Sequence, residues 1–194
     1  MFYIVGLGNP GKEYSNTRHN IGFAVAEAFV VRNQFSSWHN SSVHSGRVSK
    51  GTVDSTDVVV LLPSTFMNAS GNAVKKLLPQ SEANRLIVMY DDIDLPLGTL
   101  KVSFSRGAGG HNGVQSIINA LGTEDFIRLR IGIAQKSIWT GKIKRPKGEA
   151  LAQFVLAPFK RGEQKELDVV IMRACDALRA CVTKGKENAM NTYN

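Results

Sequence analysis

Phe2-Tyr3-Ile4-Val5-Gly6-Leu7-Gly8-Asn9-Pro10-Gly11 opens the chain, and the reading of its glycines decides the fold. A run of strand-forming residues feeds straight into G-x-G-x-x-G, the pattern of a dinucleotide-binding turn. Such a turn opens a helix directly, so that a pyrophosphate rests on free backbone N–H groups at the helix start. Here Pro10 removes one donor inside the loop, and Gly11-Lys12-Glu13-Tyr14-Ser15-Asn16-Thr17 continues as polar loop. Helical spacing begins only near Asn20, with Ile21, Val25, Ala28 and Phe29 three or four residues apart. No acidic residue closes a second strand about twenty residues on, as ribose recognition requires. The stretch therefore reads as a strand ending in a glycine bend that exposes Asn9 beside His19, and no nucleotide cofactor is expected.

The same alternation continues along the chain. Strands are predicted at 2–7, around 47–53, and at 57–62, 85–90, 99–104 and 127–133; helices at 20–33, about 70–78, 112–121 and 163–184. In the last helix Leu167, Val170, Ile171, Ala174, Leu178, Cys181 and Val182 form one apolar face. This pattern predicts an α/β fold: a single domain over 1–194 with a twisted, mixed but largely parallel central sheet and helices packed on both faces. The stretch 36–55 admits a hairpin, which is why the sheet is expected to be mixed.

Of the 194 residues, 43% are hydrophobic, ordinary for a globular chain. The longest apolar runs, such as Val58-Val59-Val60-Leu61-Leu62, are far too short to span a bilayer. Met1-Phe2-Tyr3 enters a strand at once without a basic leader, so secretion is not expected and the cytoplasm is. Cys175 and Cys181 fall within one helix and read as small core residues of a reduced protein. Twenty-four Lys and Arg against sixteen Asp and Glu give a net charge of +8, which points to a polyanionic partner such as nucleic acid. Residues 136–147 hold five basic side chains and no acidic one, with Trp139 among them; this is either a basic arm or a solvated insertion loop.

Ligands in such folds sit at the carboxyl ends of the strands. There the chain places Asn9 and His19, then Pro63-Ser64-Thr65-Phe66-Met67-Asn68, then Asp91-Asp92-Ile93-Asp94, then Arg106-Gly107-Ala108-Gly109-Gly110-His111-Asn112-Gly113. A serine hydrolase would show G-x-S-x-G, which does not occur. Ser70 reads as a helix N-cap. His19, His111 and Asp91 have no H-x-x-x-H or C-x-x-C spacing behind them, so no metal is expected. His39 and His44 read as surface residues, while Asp92 and Asp94 suit the turn before Pro96. What remains is general-base chemistry, one imidazole held by a carboxylate and deprotonating water, with asparagine amides around the reacting group.

Gly6 to Gly11 with Tyr14 and Thr17-Arg18-His19-Asn20-Ile21-Gly22-Phe23 resembles the opening of the bacterial-type peptidyl-tRNA hydrolases. So do Pro63 to Gly71, Asp91 to Gly98, Gly109 to Gly113, Phe126 to Ile133, Phe154-Val155-Leu156 and the closing Ala189 to Asn194, which makes the likeness run end to end. The resemblance implies hydrolysis of the ester joining a peptide to the 3′ ribose of tRNA, with no cofactor. It assigns His19 as general base and Asp91 as its orienting carboxylate. It gives Asn9 the peptide amide, and Asn68 and Asn112 the peptide backbone, the water or the oxyanion. Tyr14, Phe66 and Met67 would meet the terminal nucleotide or the peptide. His111, flanked by glycines at a helix start, serves equally well as a structural residue, and Met67 equally well as core; for Asn112 an N-cap is the rival reading, and the two roles can coexist. Lys101, Arg106, Arg128 and Arg130 are candidates for acceptor-stem phosphates. The implied partner is peptidyl-tRNA, recognised by acceptor stem and peptide end, with the protein a monomer needing no membrane and no protein partner. Two departures bear on tRNA contact: 134–149 is longer than usual, and Gln115 and Leu62 stand where a basic residue is common. The alternative is a catalytically silent RNA-binding relative of the same fold, of the intron-splicing type.

Overall fold

The computed structural model describes residues 1–136 and 143–194. The run Val58 to Leu62, apolar at every position, suits a strand covered on both faces. It lies within β4 (Thr56–Pro63), which pairs in parallel with β1 (Phe2–Gly6). β1 pairs in parallel with β5 (Leu86–Pro96), and β5 with β7 (Ile127–Lys136). Around this parallel centre the edges are antiparallel. β6 (Leu100–Phe104) lies beside β7, while β3 (Gly46–Val53) and the short β2 (His39–Ser41) extend the sheet beyond β4. The order is β2-β3-β4-β1-β5-β7-β6, with β8 (Ile143–Lys144) paired to β7 off that path. The hairpin expected within 36–55 is therefore real, and the turn from β3 to β4 uses left-handed Asp54 and Ser55, φ 45° and 66°.

Alternation along the strands divides the core into two layers. Ile4, Val60, Ile87 and Leu129 pack against α1 (Ile21–Arg32) and α5 (Gln164–Lys184) through Val25, Phe29, Val170 and Leu178. Val5, Leu61 and Val88 face the other way, onto Val74 of α2 (Ser70–Leu77) and Ile117 of α3 (Asn112–Leu121). A buried aliphatic side chain contributes about 1.5–3 kcal/mol, so either layer outweighs the roughly 5–15 kcal/mol by which a domain is stable. The two layers stand or fall together.

The opening glycines work by closeness more than by bending. A Cβ on Gly22 of α1 would lie 2.5 Å from the carbonyl oxygens of Leu7 and Met89, and one on Gly6 would strike the Gly22 carbonyl. One on Gly8 would press into the Phe23 ring at 2.8 Å. Glycine at these positions lets α1 settle directly on the ends of β1 and β5. Gly11 alone of the three turns the chain in a left-handed conformation, φ 118°.

Four elements depart from the sequence reading. β5 continues to Pro96, so Asp91 and Asp92 are strand residues, with Asp91 opposite Ile131. β8, α4 (Glu149–Leu156) and α6 (Lys186–Tyr193) have no counterpart among the expected elements. α4 buries no residue fully, and its core-facing side, Phe154 and Val155, is too short to read as a stripe. Asn194, just after α6, accepts the Val102 N–H on its Oδ1 at 2.8 Å and so covers part of the edge strand β6. Among the described residues no helix is long and apolar enough to cross a membrane.

Candidate active site

The carboxyl ends of β1 and β5 and the start of α3 open onto a cleft of about 790 Å³, within the usual range for small-ligand sites. Asn9, His19, Asp91, His111, Asn112 and Arg130 line it, and Leu151, Ala152, Val155 and Leu156 of α4 form its opposite wall. His19 sits on a single 3-10 turn, Arg18–Asn20, immediately before α1. Its Nδ1 is 2.7 Å from Asp91 Oδ1. A carboxylate accepts, so Nδ1 carries the proton and Nε2 keeps its lone pair. Burial by itself would lower the His19 pKa, but the Asp91 charge and hydrogen bond outweigh it and raise the pKa above 6.5. Burial would raise the pKa of Asp91, and the two histidines facing it hold it instead well below the usual carboxylate range.

The turn that carries His19 is bolted from behind. The buried Arg18 guanidinium donates to the Pro158 and Ala157 carbonyls at 2.5 and 3.2 Å and to Glu163 at 2.7 Å, between the Phe154 and Phe159 rings. Thr17 pairs with Pro158 across the same seam. These contacts tie the base of α4 to the residue next to His19.

Asn9 is held at three points. Its N–H donates to Asn20 Oδ1 at 2.8 Å, its carbonyl accepts from Asn20 Nδ2 at 2.9 Å, and its Oδ1 accepts the Met67 N–H at 2.9 Å. The amide is thereby oriented, and its Nδ2 donors remain for whatever enters the cleft. Asn20, to which the sequence assigns no role beyond its place inside the Thr17 to Phe23 motif, is thus the residue that holds the Asn9 backbone.

His111 joins the same carboxylate. Its Nε2 is 3.1 Å from Asp91 Oδ1, and its Nδ1 accepts the Val114 N–H at 3.3 Å, capping α3. The ring lies 5.3 Å from that of His19 and 4.7 Å from that of Tyr90, centre to centre. One ligand atom from each of His19, Asp91 and His111 falls within 4.8 Å of the others, close enough to ask whether they hold a metal. The donor set fits hydrogen bonding better. With Nδ1 occupied by an incoming N–H, the neutral His111 ring keeps its proton on Nε2, the atom a cation would need bare. Burial pushes the Cys175 and Cys181 thiols on α5 up to about 11 and 12, so neither supplies a thiolate.

Several expected roles need correction. Arg128 is buried, 1% exposed, with its guanidinium 4.4 Å from the Phe126 ring centre, so in this structure it presents no charge to the surface where a phosphate would dock. Lys101 is exposed on β6 opposite Arg130 but does not line the cleft, whereas Arg106 does. Arg130 lines it too, paired to Asp92 Oδ2 at 2.6 Å, so Asp92 is an ion-pair partner and not simply a turn former. Met67 is 5% exposed and belongs to the α2–α3 core layer, touching the site through its backbone N–H alone. Ser70 begins α2 and donates to the Met67 carbonyl instead of capping, and at α3 the cap is His111, not Asn112. Leu62 is buried, which removes it from any tRNA surface; Gln115 on α3 is exposed. Asn68 is exposed on the 67–69 turn beside the cleft. Tyr14 and Phe66 form an edge-to-face pair, centroids 6.4 Å apart, with Phe66 58% exposed. Of the basic stretch 136–147, residues 137–142 lie outside the described residues; Arg145 pairs with Asp94 at 2.9 Å.

Comparison with known proteins agrees with this geometry. A family model described as peptidyl-tRNA hydrolase matches residues 3–194. Curated relatives named peptidyl-tRNA hydrolase include one from Dehalococcoides mccartyi (strain CBDB1), 40% identical with both chains covered in full. Another, from Syntrophotalea carbinolica, is 39% identical over all of this chain and 97% of its own. Among solved structures, the peptidyl-tRNA hydrolase from Acinetobacter baumannii superposes with a TM-score of 0.87 at 32% identity, covering 100% of this chain and 94% of that one.

Proposed function

The chain belongs to the peptidyl-tRNA hydrolase family, and from that footing we propose how its residues divide the work. It hydrolyses the ester that joins a peptidyl group to tRNA, and peptidyl-tRNA is its substrate. His19 is the general base. Its bare Nε2 takes a proton from water as the water oxygen attacks the ester carbonyl. The tetrahedral oxyanion collapses, the C–O bond to the ribose breaks, and the proton on Nε2 goes to the leaving 3′ oxygen. Asp91 orients the ring and stabilises the transient imidazolium.

Asn9 presents a donor, so it meets a carbonyl oxygen of the peptide; a substrate with a free α-amine and no peptide carbonyl offers it nothing to hold. Asn112 and the free N–H groups of the first turn of α3 face the oxyanion. Asn68 contacts peptide backbone outside the cleft, and the Tyr14–Phe66 edge receives the terminal base. Arg106 and Arg130, with Lys101 beyond them, meet phosphates of the acceptor stem, contacts that carry no sequence information and so suit many tRNAs. The protein acts in the cytoplasm as a single-domain monomer.

One observation carries this reading: His19 Nδ1 and Asp91 Oδ1 at 2.7 Å, opening on the same cleft as the locked amide of Asn9. A silent RNA binder has no use for that pair. The test is ester cleavage of N-blocked and free aminoacyl-tRNA by the parent and by His19→Ala. The parent should cleave the blocked substrate alone, and the variant should lose about 10²–10⁴-fold in kcat/KM. Cleavage by His19→Ala at the parental rate would refute the assignment.

A further inference from the structure

We propose that His111 is a positioning residue that sets the basicity of His19 through the oxygen they share, and that it couples this setting to the first turn of α3. The inference rests on His19 acting as general base. A continuous chain of hydrogen bonds supports it: Val114 N–H donates to His111 Nδ1 at 3.3 Å, and His111 Nε2–H donates to Asp91 Oδ1 at 3.1 Å. The same oxygen receives His19 Nδ1–H at 2.7 Å. Because Nδ1 is committed to the helix, only one neutral tautomer of His111 fits, and that tautomer is a donor toward Asp91.

Two donors on one carboxylate oxygen do opposite things to His19. They keep Asp91 ionised, which holds the His19 ring in its productive tautomer. They also divide the negative charge, so the His19 imidazolium is stabilised less than it would be by a carboxylate of its own. The base therefore stays free of its proton to lower pH than a simple His–Asp pair would allow. Asn112, the residue after His111, lines the cleft, so a shift of the α3 start on substrate binding is felt directly at Asp91.

The other charged and titratable groups around His111 do not duplicate this contact. From β5 it faces Tyr90, whose phenol burial pushes up to about 12, and Asp91 itself. Arg130 is paired to Asp92 and Arg145 to Asp94. Arg106 stands on the loop before it, and α4 offers the cleft Leu151, Ala152, Val155 and Leu156, which do not titrate.

Two substitutions separate the roles, since an asparagine amide falls where histidine carries Nδ1 and a glutamine amide falls where it carries Nε2. His111→Asn keeps an acceptor for the Val114 N–H but loses the donor to Asp91. His111→Gln keeps that donor and loses the cap. The readouts are the pH profile of kcat/KM on N-blocked aminoacyl-tRNA, the thermal midpoint, and NMR titration of the His19 ring.

In His111→Asn the acid limb and the His19 titration should both move up, by about half to one pH unit, with the midpoint kept within a few degrees. In His111→Gln the limb should stay in place while the midpoint falls. Superimposable His19 titrations for parent and His111→Asn would overturn the proposal, as would a limb that follows the midpoint in both variants. The NMR titration does not depend on turnover. A parent that failed to cleave the ester would therefore sink the assignment of His19 as base and leave the shared-oxygen proposal to stand or fall on the titration.

Discussion

The two walls of the cleft differ in how many of their polar atoms are already engaged. On the inner wall Asn9 uses its N–H, its carbonyl and its Oδ1, Asp91 Oδ1 accepts two imidazoles, and His111 uses both ring nitrogens. On the outer wall α4 has no fully buried residue, and the loop before His111 runs through Gly109 and Gly110 at φ 61° and 85°, where a Cβ would meet nothing within 4 Å. The contrast matches a reaction whose chemistry is constant while the attached peptide changes. In the proposed mechanism the groups that meet the ester are the ones already fixed by hydrogen bonds, and the groups that meet the variable part are left room. Substitutions on the inner wall should therefore cost rate, and those on the outer wall should alter binding.

Asp91→Asn breaks the inner wall most directly. The shape and the acceptor survive, but the charge is gone, and burial, which lowers the His19 pKa, acts without opposition. In the parent, His19 is a free base only above its raised pKa, so the acid limb of kcat/KM lies above 6.5. In the variant that limb should move to lower pH while the plateau falls by about 10²–10³-fold. A plateau unchanged within a factor of two would mean that the carboxylate charge does not serve the chemistry. Stability follows the same signs. The Asp91 contribution is present above the ordinary carboxylate range and is lost as pH falls through its lowered pKa, whereas that of His19 is present at low pH and is lost as pH rises through its raised one.

Asn20→Ala tests the inner wall one step back. It leaves the Asn9 N–H and carbonyl without partners in a residue 8% exposed, at a cost of about 1–3 kcal/mol in stability. Because the Asn9 amide then loses its fixed aim, kcat/KM for the blocked substrate should fall by roughly 10-fold, the equivalent of 1.4 kcal/mol. The preference over free aminoacyl-tRNA should narrow with it. Full discrimination in a destabilised variant would show that Asn20 supports the fold alone.

How legible the two walls were follows from the same difference. Local patterns announce the scaffold: the apolar run of β4, the three- and four-residue spacing of α1, and the motifs at strand ends that hold Asn9, His19 and Asp91. Pairings across long separations do not announce themselves. His111 caps a helix with a ring nitrogen, a task usually given to Ser, Thr, Asp or Asn, so its residue type does not announce the cap. Arg128 and Arg130 alternate identically on β7, and nothing in that spacing tells which one is buried beside Phe126 and which reaches Asp92. α4 stayed hidden because none of its residues is fully buried: Phe154 and Val155 touch the core, while Leu151, Ala152 and Leu156 line the cleft.

The smallest expected effect belongs to Arg106, exposed on the outer wall without a carboxylate partner among the described residues. Phosphate contacts from such a side chain act through counterion release, so Arg106→Gln should weaken kcat/KM a few-fold at moderate salt. It should also flatten the slope of log KM against log salt by about one unit. The same change at Arg128 should leave the slope alone and lower the thermal midpoint instead, because that guanidinium is buried and already shields the Phe126 ring. If both variants flattened the slope equally, Arg128 would have to reach solvent during binding. If neither did, the phosphates would be held elsewhere, and the excess positive charge would act at a distance without contact.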